Sequence, residues 1–159
     1  MNLPFNVRVG NIVEYNGPLG HHGFVIVRSI NPFDDTRQVY ILEPQYAGAE
    51  QFAGYTEHIR PIFLTETHLT TLGFELDLQS KRFSKQNITI ASFGYSEGND
   101  PFNMTYVFLG YRIISADFPD IPTMNDVEEH AIEIPYIHSL QNYCSDHAVD
   151  HINFSLLNF

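Results

Sequence analysis

Apolar and polar residues alternate in short runs over residues 7–64, and glycine, proline or asparagine separates each run from the next. A period of two with such separators is typical of short antiparallel strands. The pattern predicts four strands, over residues 7–15, 24–30, 38–42 and 56–59, with a bend at Gly10-Asn11. Residues 44–55 show no period and therefore predict a long loop.

A short helix is predicted to follow these strands. Thr65 is a candidate N-cap, and Gly73 stands where a left-handed residue commonly ends a helix. Between them Leu69 and Leu72 share one face. This helix is expected to plug or flank the strands before it.

The rest of the chain returns to strands and closes with a second helix. Strands are predicted over 74–78, 87–93 and 105–115, with a loop at 94–101 and a last strand at 132–134. Between the strands at 105–115 and 132–134, Thr123 with Asp126 predicts one helical turn. Residues 136 to about 147 predict a helix, since Ile137, Leu140 and Cys144 recur on one face.

The spacing of glycines near the start resembles that of SH3-like small barrels of the KOW type. Residues 9–13 read Val-Gly-Asn-Ile-Val, and Gly17, Gly20 and Gly23 come before the apolar run at 25–27. A small barrel needs sharp bends, which glycine permits. The fold class predicted is α+β, mainly antiparallel β, with an SH3-like barrel over 1–64 and an α+β region over 65–159. The two are expected to pack as one unit, because Ile62-Phe63-Leu64 is too apolar for a free linker.

Three further blocks resemble small uncharacterised proteins of Bacteroidetes genomes and of their phages or mobile elements. The blocks read RVGNIVEY over 8–15, IRPIFLTE over 59–66, continuing to Phe74, and YIHSLQN over 136–142. They occur in the same order across most of the chain. The loop at 44–55 and everything after Asn142 depart from that pattern. The resemblance transfers no catalytic residue.

Charge and cysteine content limit the classes of partner. The chain carries 8 basic and 19 acidic residues, a net charge of −11, and no basic residue follows Arg112. Such a field repels nucleic acids and anionic membranes, so neither is expected as a partner. With Cys144 alone no intrachain disulfide is possible, which fits a reducing, cytoplasmic location. No secretory signal or membrane-spanning run is evident.

Two groups of residues on or after the last helix are candidate sites. His138, Gln141 and Asn142 can share a helix face. They form either a polar ligand site or a hydrogen-bonded cluster that ties the helix to the sheet, and the second reading is favoured. His147 and His151 have the i, i+4 spacing of metal ligands, but no third ligand is evident, so we expect no metal and no cofactor.

The loops supply the other candidate contacts. His21 and His22 lie in a glycine-rich turn, and the aromatic residues of the 44–55 loop are Tyr46, Phe52 and Tyr55. We expect these residues to contact a partner. A site is predicted where that loop, the middle helix and the His138 helix meet.

The function predicted is that of a non-catalytic binding or adaptor protein of phage or mobile-element origin, with another protein as its partner. One alternative is an acidic mimic of nucleic acid that blocks a basic partner, suggested by the acidic C-terminal third. A second alternative is a small hydrolase or metal enzyme that uses His138 or His147, with Cys144 as a conceivable nucleophile. No constellation gives an enzyme positive support, and the sequence leaves the oligomeric state open.

Overall fold

The computed structural model describes residues 6–18, 22–35, 37–103, 105–115 and 132–157. These residues form mainly antiparallel β-structure with two α-helices, which confirms the coarse α+β prediction. The chain divides into two compact units. The first takes its described residues from Met1–Phe63 and Tyr136–Phe159, and the second from Leu64–Pro135. Within these described ranges, no helix is long and apolar enough to cross a membrane.

The first unit is built on a five-stranded antiparallel sheet. Its strands are β1 (Ile12–Asn16), β2 (His22–Pro32), β3 (Gln38–Pro44), β4 (Phe52–Tyr55) and β5 (Ile59–Arg60), and a 3-10 turn over Thr56–His58 precedes β5. The order across the sheet is β4-β3-β2-β1-β5. β1 therefore pairs with both its neighbour in sequence and the last strand. Among the described residues the sheet does not close, since β4 and β5 each pair on one side only.

Alternate residues of these strands form the core of the first unit. Its buried members are Val13, Tyr15, Val25, Val27, Tyr40, Leu42 and Ile59. A register shift between Val27 and Ser29 marks a bulge in the pairing of the long strand β2 with β3, and such a bulge lets paired strands bend. Gly54 lies against this core, where an added Cβ would come within 2.7 Å of Leu42 and 2.8 Å of Tyr15. Only glycine fits there without a shift of those side chains.

A helix from the end of the chain completes the first unit. Helix α2 (Ile137–Asp146) follows an isolated bridge between Phe63 and Tyr136, and the Ile137 N–H donates to the Ile62 carbonyl at 2.9 Å. Its buried residues include the predicted apolar face. The structure groups the residues from Tyr136 onward with the first sheet rather than with residues 65–135, because these hydrogen bonds and the packing of α2 join them to it. That the two units pack as one body stays a prediction.

The second unit begins with helix α1 (Glu66–Thr71), whose two ends match the prediction. The Thr65 side chain accepts from the His68 N–H, and the His68 ring accepts from the Thr65 N–H, which forms a capping box. At the other end Gly73 has φ +85°, and the Phe74 N–H donates to the Leu69 carbonyl at 3.0 Å. The Gly73 N–H also donates to the Thr70 carbonyl at 3.0 Å, and the two bonds form a Schellman motif, so both ends of this helix follow local sequence signals.

The rest of the second unit is another five-stranded antiparallel sheet. Its strands are β6 (Glu75–Asp77), β7 (Arg82–Lys85), β8 (Ile88–Glu97), β9 (Thr105–Ser115) and β10 (Ile132–Glu133), in the order β10-β9-β8-β7-β6. Phe83, Ile88, Ile90 and Ile113 are buried in it. Arg82 and Lys85 lie on β7, and Lys85 Nζ donates to the Leu72 carbonyl at the end of α1.

Three local predictions were wrong. Residues 44–55 are not one loop, because β3 runs to Pro44 and β4 begins at Phe52, where it pairs with Leu42. Residues 56–58 form a 3-10 turn rather than a strand. Residues 94–97 continue β8 rather than forming a loop, because β9 supplies a partner as far as Thr105. The helical turn predicted at Thr123 and Asp126 lies outside the described residues.

Candidate functional site

The amide side chains predicted on α2 bind the start of the first sheet. Oδ1 of Asn142 accepts from Nδ2 of Asn11 at 2.9 Å, and Nδ2 of Asn142 donates to the Asn6 carbonyl at 2.8 Å. Oε1 of Gln141 accepts from the Ile12 N–H at 2.9 Å. These bonds hold α2 against the residues that lead into β1. Gln141 and Asn142 thus act as hydrogen-bonded side chains that tie the helix to the sheet.

An ion pair extends the same attachment at the surface. The Arg8 guanidinium donates to both carboxylate oxygens of Asp146, at 2.6 and 3.2 Å. This hydrogen-bonded pairing holds the pKa of Asp146 below its ordinary value. Both side chains are exposed, so the pair adds little to stability and serves mainly to orient the end of α2.

His138 lies in the interior of the first unit. Its side chain is fully buried, and its ring stacks on that of Tyr136 with centroids 5.3 Å apart. The Tyr136 ring in turn packs against Phe63 at 5.2 Å. Gln141 and Asn142 bond to the sheet while His138 is enclosed by packing, so these three residues do not present a shared open face.

The predicted histidine pair at the end of α2 is not on a helix. The helix ends at Asp146, His147 is its C-cap, and Ala148 has φ +53°. The i, i+4 argument for a metal pair therefore fails at His147 and His151. The His147 ring stacks on Tyr143 at 4.1 Å. Within the part of the chain that the structure describes, no three His, Cys, Asp or Glu residues are grouped to hold a metal.

The thiol considered as a nucleophile is buried in the helix face. Cys144 is 4% exposed, and burial raises the pKa of its thiol to about 11. Nucleophilic cysteines need a lowered pKa and access to substrate. The position of Cys144 is that of a core residue.

The predicted loop residues are separated by the fold. Phe52 packs edge-on against Tyr15 at 4.9 Å and belongs to the core, whereas Tyr46 is exposed on the turn after β3. The backbone of His22 begins β2 and pairs with Asn16 instead of lying in a loop. His21 lies outside the described residues. Among the candidates whose side chains the structure describes, Tyr55 takes part in a larger cluster on the surface.

That cluster, which we call the aromatic surface, consists of Phe33, Arg37, Tyr55 and His58. The rings of Phe33 and Tyr55 meet edge to face at 5.6 Å. The Arg37 guanidinium carbon lies 4.9 Å from the centre of Phe33 and 5.9 Å from that of Tyr55. The His58 ring is 6.4 Å from Tyr55. Phe33 is 53% exposed and Tyr55 36%, so both rings remain open to contact.

The strand pairing brings these residues together. Pro32 pairs with Gln38 where β2 turns into β3, and Val39 pairs with Tyr55 on the neighbouring strand. The β2–β3 turn therefore stands beside the 3-10 turn that carries His58. Since this register depends on the whole sheet, no local pattern links Phe33 to Tyr55. The sequence reasoning missed Phe33, Arg37 and His58 for that reason.

Hydrogen bonds fix the cation over the rings. The Asp34 carboxylate accepts from both the backbone N–H and Nε of Arg37, at 2.8 and 2.9 Å, and this pairing raises the pKa of Arg37. A guanidinium over aromatic faces is attracted by their electron density. Beneath the cluster, Nδ1 of His58 is buried with no hydrogen-bond partner among the described residues. The aromatic surface is thus preformed.

Comparisons with protein-family models, curated proteins and solved structures find no match to this chain.

Proposed function

We propose that this chain is a non-catalytic binding module that acts by contact with another protein, and that the aromatic surface is its contact site. The observation that carries the proposal is the pair of exposed rings, Phe33 and Tyr55, under a guanidinium held in place by Asp34. Aromatic residues and arginine are enriched at protein interfaces and dominate their energetics. The function therefore rests on recognition and not on a reaction.

The geometry favours binding in a second way. The Arg37 side chain is already held by its ion pair and by the two rings, so less side-chain freedom is lost when a partner docks. A partner segment with an apolar or aromatic side chain would cover Phe33 and Tyr55. An acidic group of this partner segment would meet the Arg37 guanidinium, which is an exposed cation in a strongly acidic chain.

We further propose that the first sheet is a partly open SH3-like barrel. Support comes from the way β1 pairs with both β2 and β5, and from the 3-10 turn that returns the chain to β5 after β4. The bulge beside Val27 gives the bend that a small barrel needs. SH3-like barrels carry many unrelated functions, so the barrel supports a binding role without naming a ligand.

The genomic origin of the chain and its cellular location are also proposals. The three sequence blocks support an origin in a Bacteroidetes phage or mobile element. A single, buried cysteine supports a reducing, cytoplasmic compartment.

The acidic-mimic alternative depends on residues after Arg112, of which Asp117, Asp120, Asp126, Glu128 and Glu129 lie outside the described residues, so it stays a prediction. The hydrolase alternative has no support from the described position of Cys144.

Affinity capture from a lysate of the encoding organism, read by quantitative mass spectrometry, tests the binding role. The bait would be the wild-type chain, a Phe33→Ala/Tyr55→Ala variant, or a Tyr46→Ala control that removes an exposed tyrosine elsewhere on the first unit. We expect one partner or a small set to be lost with the double variant and kept with the control. A partner list that is empty for the wild type, or equal in all three samples, would contradict the proposal.

A further inference from the structure

The strand register of the second sheet sets five side chains in one row across its width. Asp77 pairs with Arg82, Arg82 with Ala91, Ala91 with Arg112, and Arg112 with Glu133. The side chains of directly opposed residues lie on the same face of a sheet. The row therefore holds two arginines, one on each side of Ala91, and a carboxylate at each end.

This row lies on the face of the sheet that is turned away from the core of the second unit. Phe83, Ile90 and Ile113, each one position along its strand from the row, pair across the sheet and are buried. Successive residues of a strand point to opposite faces. Both arginines of the row are half-buried and both end carboxylates are exposed, so a ligand can reach the row from solvent.

Neither arginine of the row has an ion-pair partner within the described ranges. The ion pairs of this chain involve other arginines, since Arg8, Arg28 and Arg37 each bind a carboxylate. Nε of Arg112 is buried and makes no hydrogen bond to any described residue. A buried donor without an acceptor costs free energy, which an incoming acceptor recovers.

The end carboxylates do not occupy the arginines. Both oxygens of Asp77 accept hydrogen bonds in the turn after β6, from the Gln79 N–H at 2.9 Å and the Ser80 hydroxyl at 2.8 Å. Glu133 lies opposite Arg112 on a strand of two residues, and it forms no ion pair in the part of the chain that the structure describes. The two negative charges limit the width of the positive region to the two arginines and Ala91.

Packing holds the Arg112 guanidinium in place. Its Cζ lies 4.3 Å from the centre of the Phe93 ring. Phe93 pairs with Gly110, where an added Cβ would lie 3.4 Å from the ring, so the ring lies close over the backbone of β9. An arginine that is already ordered by packing loses less side-chain freedom when a ligand binds.

Two guanidiniums can meet one ligand above Ala91. Neighbouring strands are about 4.7–4.9 Å apart, so the backbones of Arg82 and Arg112 are about 10 Å apart, with the Ala91 methyl group as the floor between them. A guanidinium favours two parallel bonds to an oxyanion. A phosphoryl group has oxygens for two such arginines, whereas a carboxylate has them for one. Ser84 and Thr89 pair in the adjoining row of the same face and add hydroxyl donors.

We propose that Arg82 and Arg112 bind a single phosphoryl group above Ala91, as free phosphate or as part of a small phosphorylated molecule. Charge selects a small ligand, because a net charge of −11 and the two end carboxylates repel nucleic acids and other polyanions. One phosphoryl group fits between those carboxylates. The site lies in the second unit and the aromatic surface in the first, so neither proposal depends on the other.

Titration with inorganic phosphate at constant ionic strength, read by NMR from the arginine Nε–Hε signals, tests the site. Concentrations of about 0.1–50 mM cover millimolar affinity. We expect a saturable shift of the Arg82 and Arg112 signals. Arg82→Gln should weaken binding about tenfold or more, since it removes charge-assisted hydrogen bonds. Arg60→Gln removes the same charge from an exposed position on β5 and should leave binding unchanged.

A wild-type chain without a saturable shift would overturn the proposal, and so would equal weakening by Arg82→Gln and Arg60→Gln. A variant that gains affinity guards against a loss of folding as the explanation. Glu133→Gln removes a repelling carboxylate from the end of the row, so we expect phosphate to bind more tightly. Weaker binding to Glu133→Gln than to the wild type would refute the arrangement.

The choice of ligand tests the chemistry of the site. Acetate should bind more weakly than phosphate, because a carboxylate cannot satisfy two guanidiniums at once. Tighter binding of phenyl phosphate than of inorganic phosphate would support a phosphorylated small molecule as the ligand, and equal binding would support free phosphate. Acetate that binds as tightly as phosphate, or a single-stranded oligonucleotide that binds more tightly than phenyl phosphate, would contradict a site for one phosphoryl group.

Discussion

Asn142 on α2 accepts a hydrogen bond from Asn11 beside β1 at 2.9 Å, across 131 positions of sequence. Both side chains are buried. The bond joins the helix to the sheet at a place where neither amide has ready access to water. Removing one partner therefore leaves the other with an unsatisfied buried group.

We expect Asn142→Ala to lower the free energy of unfolding by about 1–3 kcal/mol, the usual cost of leaving a buried polar group unpaired. Urea unfolding followed by circular dichroism measures this. Ser145→Ala on the exposed part of the same helix is the control and should change stability by less than about 0.5 kcal/mol. A double-mutant cycle with Asn11→Ala should give a coupling energy of about 0.5–3 kcal/mol. If the losses in unfolding free energy of the two single variants simply add, the hydrogen bond between Asn11 and Asn142 contributes no coupling energy.

Gly54 offers a test of packing in the first unit. An added Cβ would lie 2.7 Å from Leu42 and 2.8 Å from Tyr15, both buried. We expect Gly54→Ala to destabilise the protein by about 1–3 kcal/mol, as overpacking of a core does. The neighbouring Ala53 is exposed on the same strand, so Ala53→Ser is the matched control. If the two variants are equally stable, the core accommodates the added methyl group without a loss of unfolding free energy.

The Arg8–Asp146 pair predicts a defined pH dependence. Because Arg8 lowers the pKa of Asp146 below its ordinary value of 3.8, the stabilisation is present above that value and is lost as pH falls through the lower pKa of the folded state. The small stability difference between wild type and Asp146→Asn should therefore vanish in acid. Thermal unfolding of both proteins between neutral and acidic pH tests this. A difference that is constant over the whole range would contradict it.

The buried thiol predicts slow chemical modification. Burial raises the pKa of Cys144 to about 11, so the thiolate is scarce at neutral pH and a reagent must also wait for the structure to open. We expect a disulfide reagent to modify the folded protein far more slowly than the urea-unfolded protein. Equal rates in the two states would show that Cys144 is accessible in the folded chain.

The sequence predicted best what depends on neighbouring residues. Thr65 and Gly73 mark the ends of α1 by bonds within a few positions, and the apolar period from Ile137 identifies α2. Residues 94–97 could not be recognised as strand, because Gly94 and the polar residues after it form β-structure only where β9 supplies a partner. The contact of Phe33 with Tyr55 depends on the register of three strands. The bond of Asn11 with Asn142 joins two segments that lie far apart in the sequence.

The bridge between Phe63 and Tyr136 brings the chain back to where it left the first unit, with the second unit inserted between those two residues. This has a consequence for synthesis on the ribosome, where residues emerge in order. The second unit, residues 64–135, is complete before α2 has been made. We therefore expect it to fold first, while the early strands wait for the helix that carries Asn142. A released chain truncated after Pro135 should show a protease-resistant second unit and an unprotected first sheet.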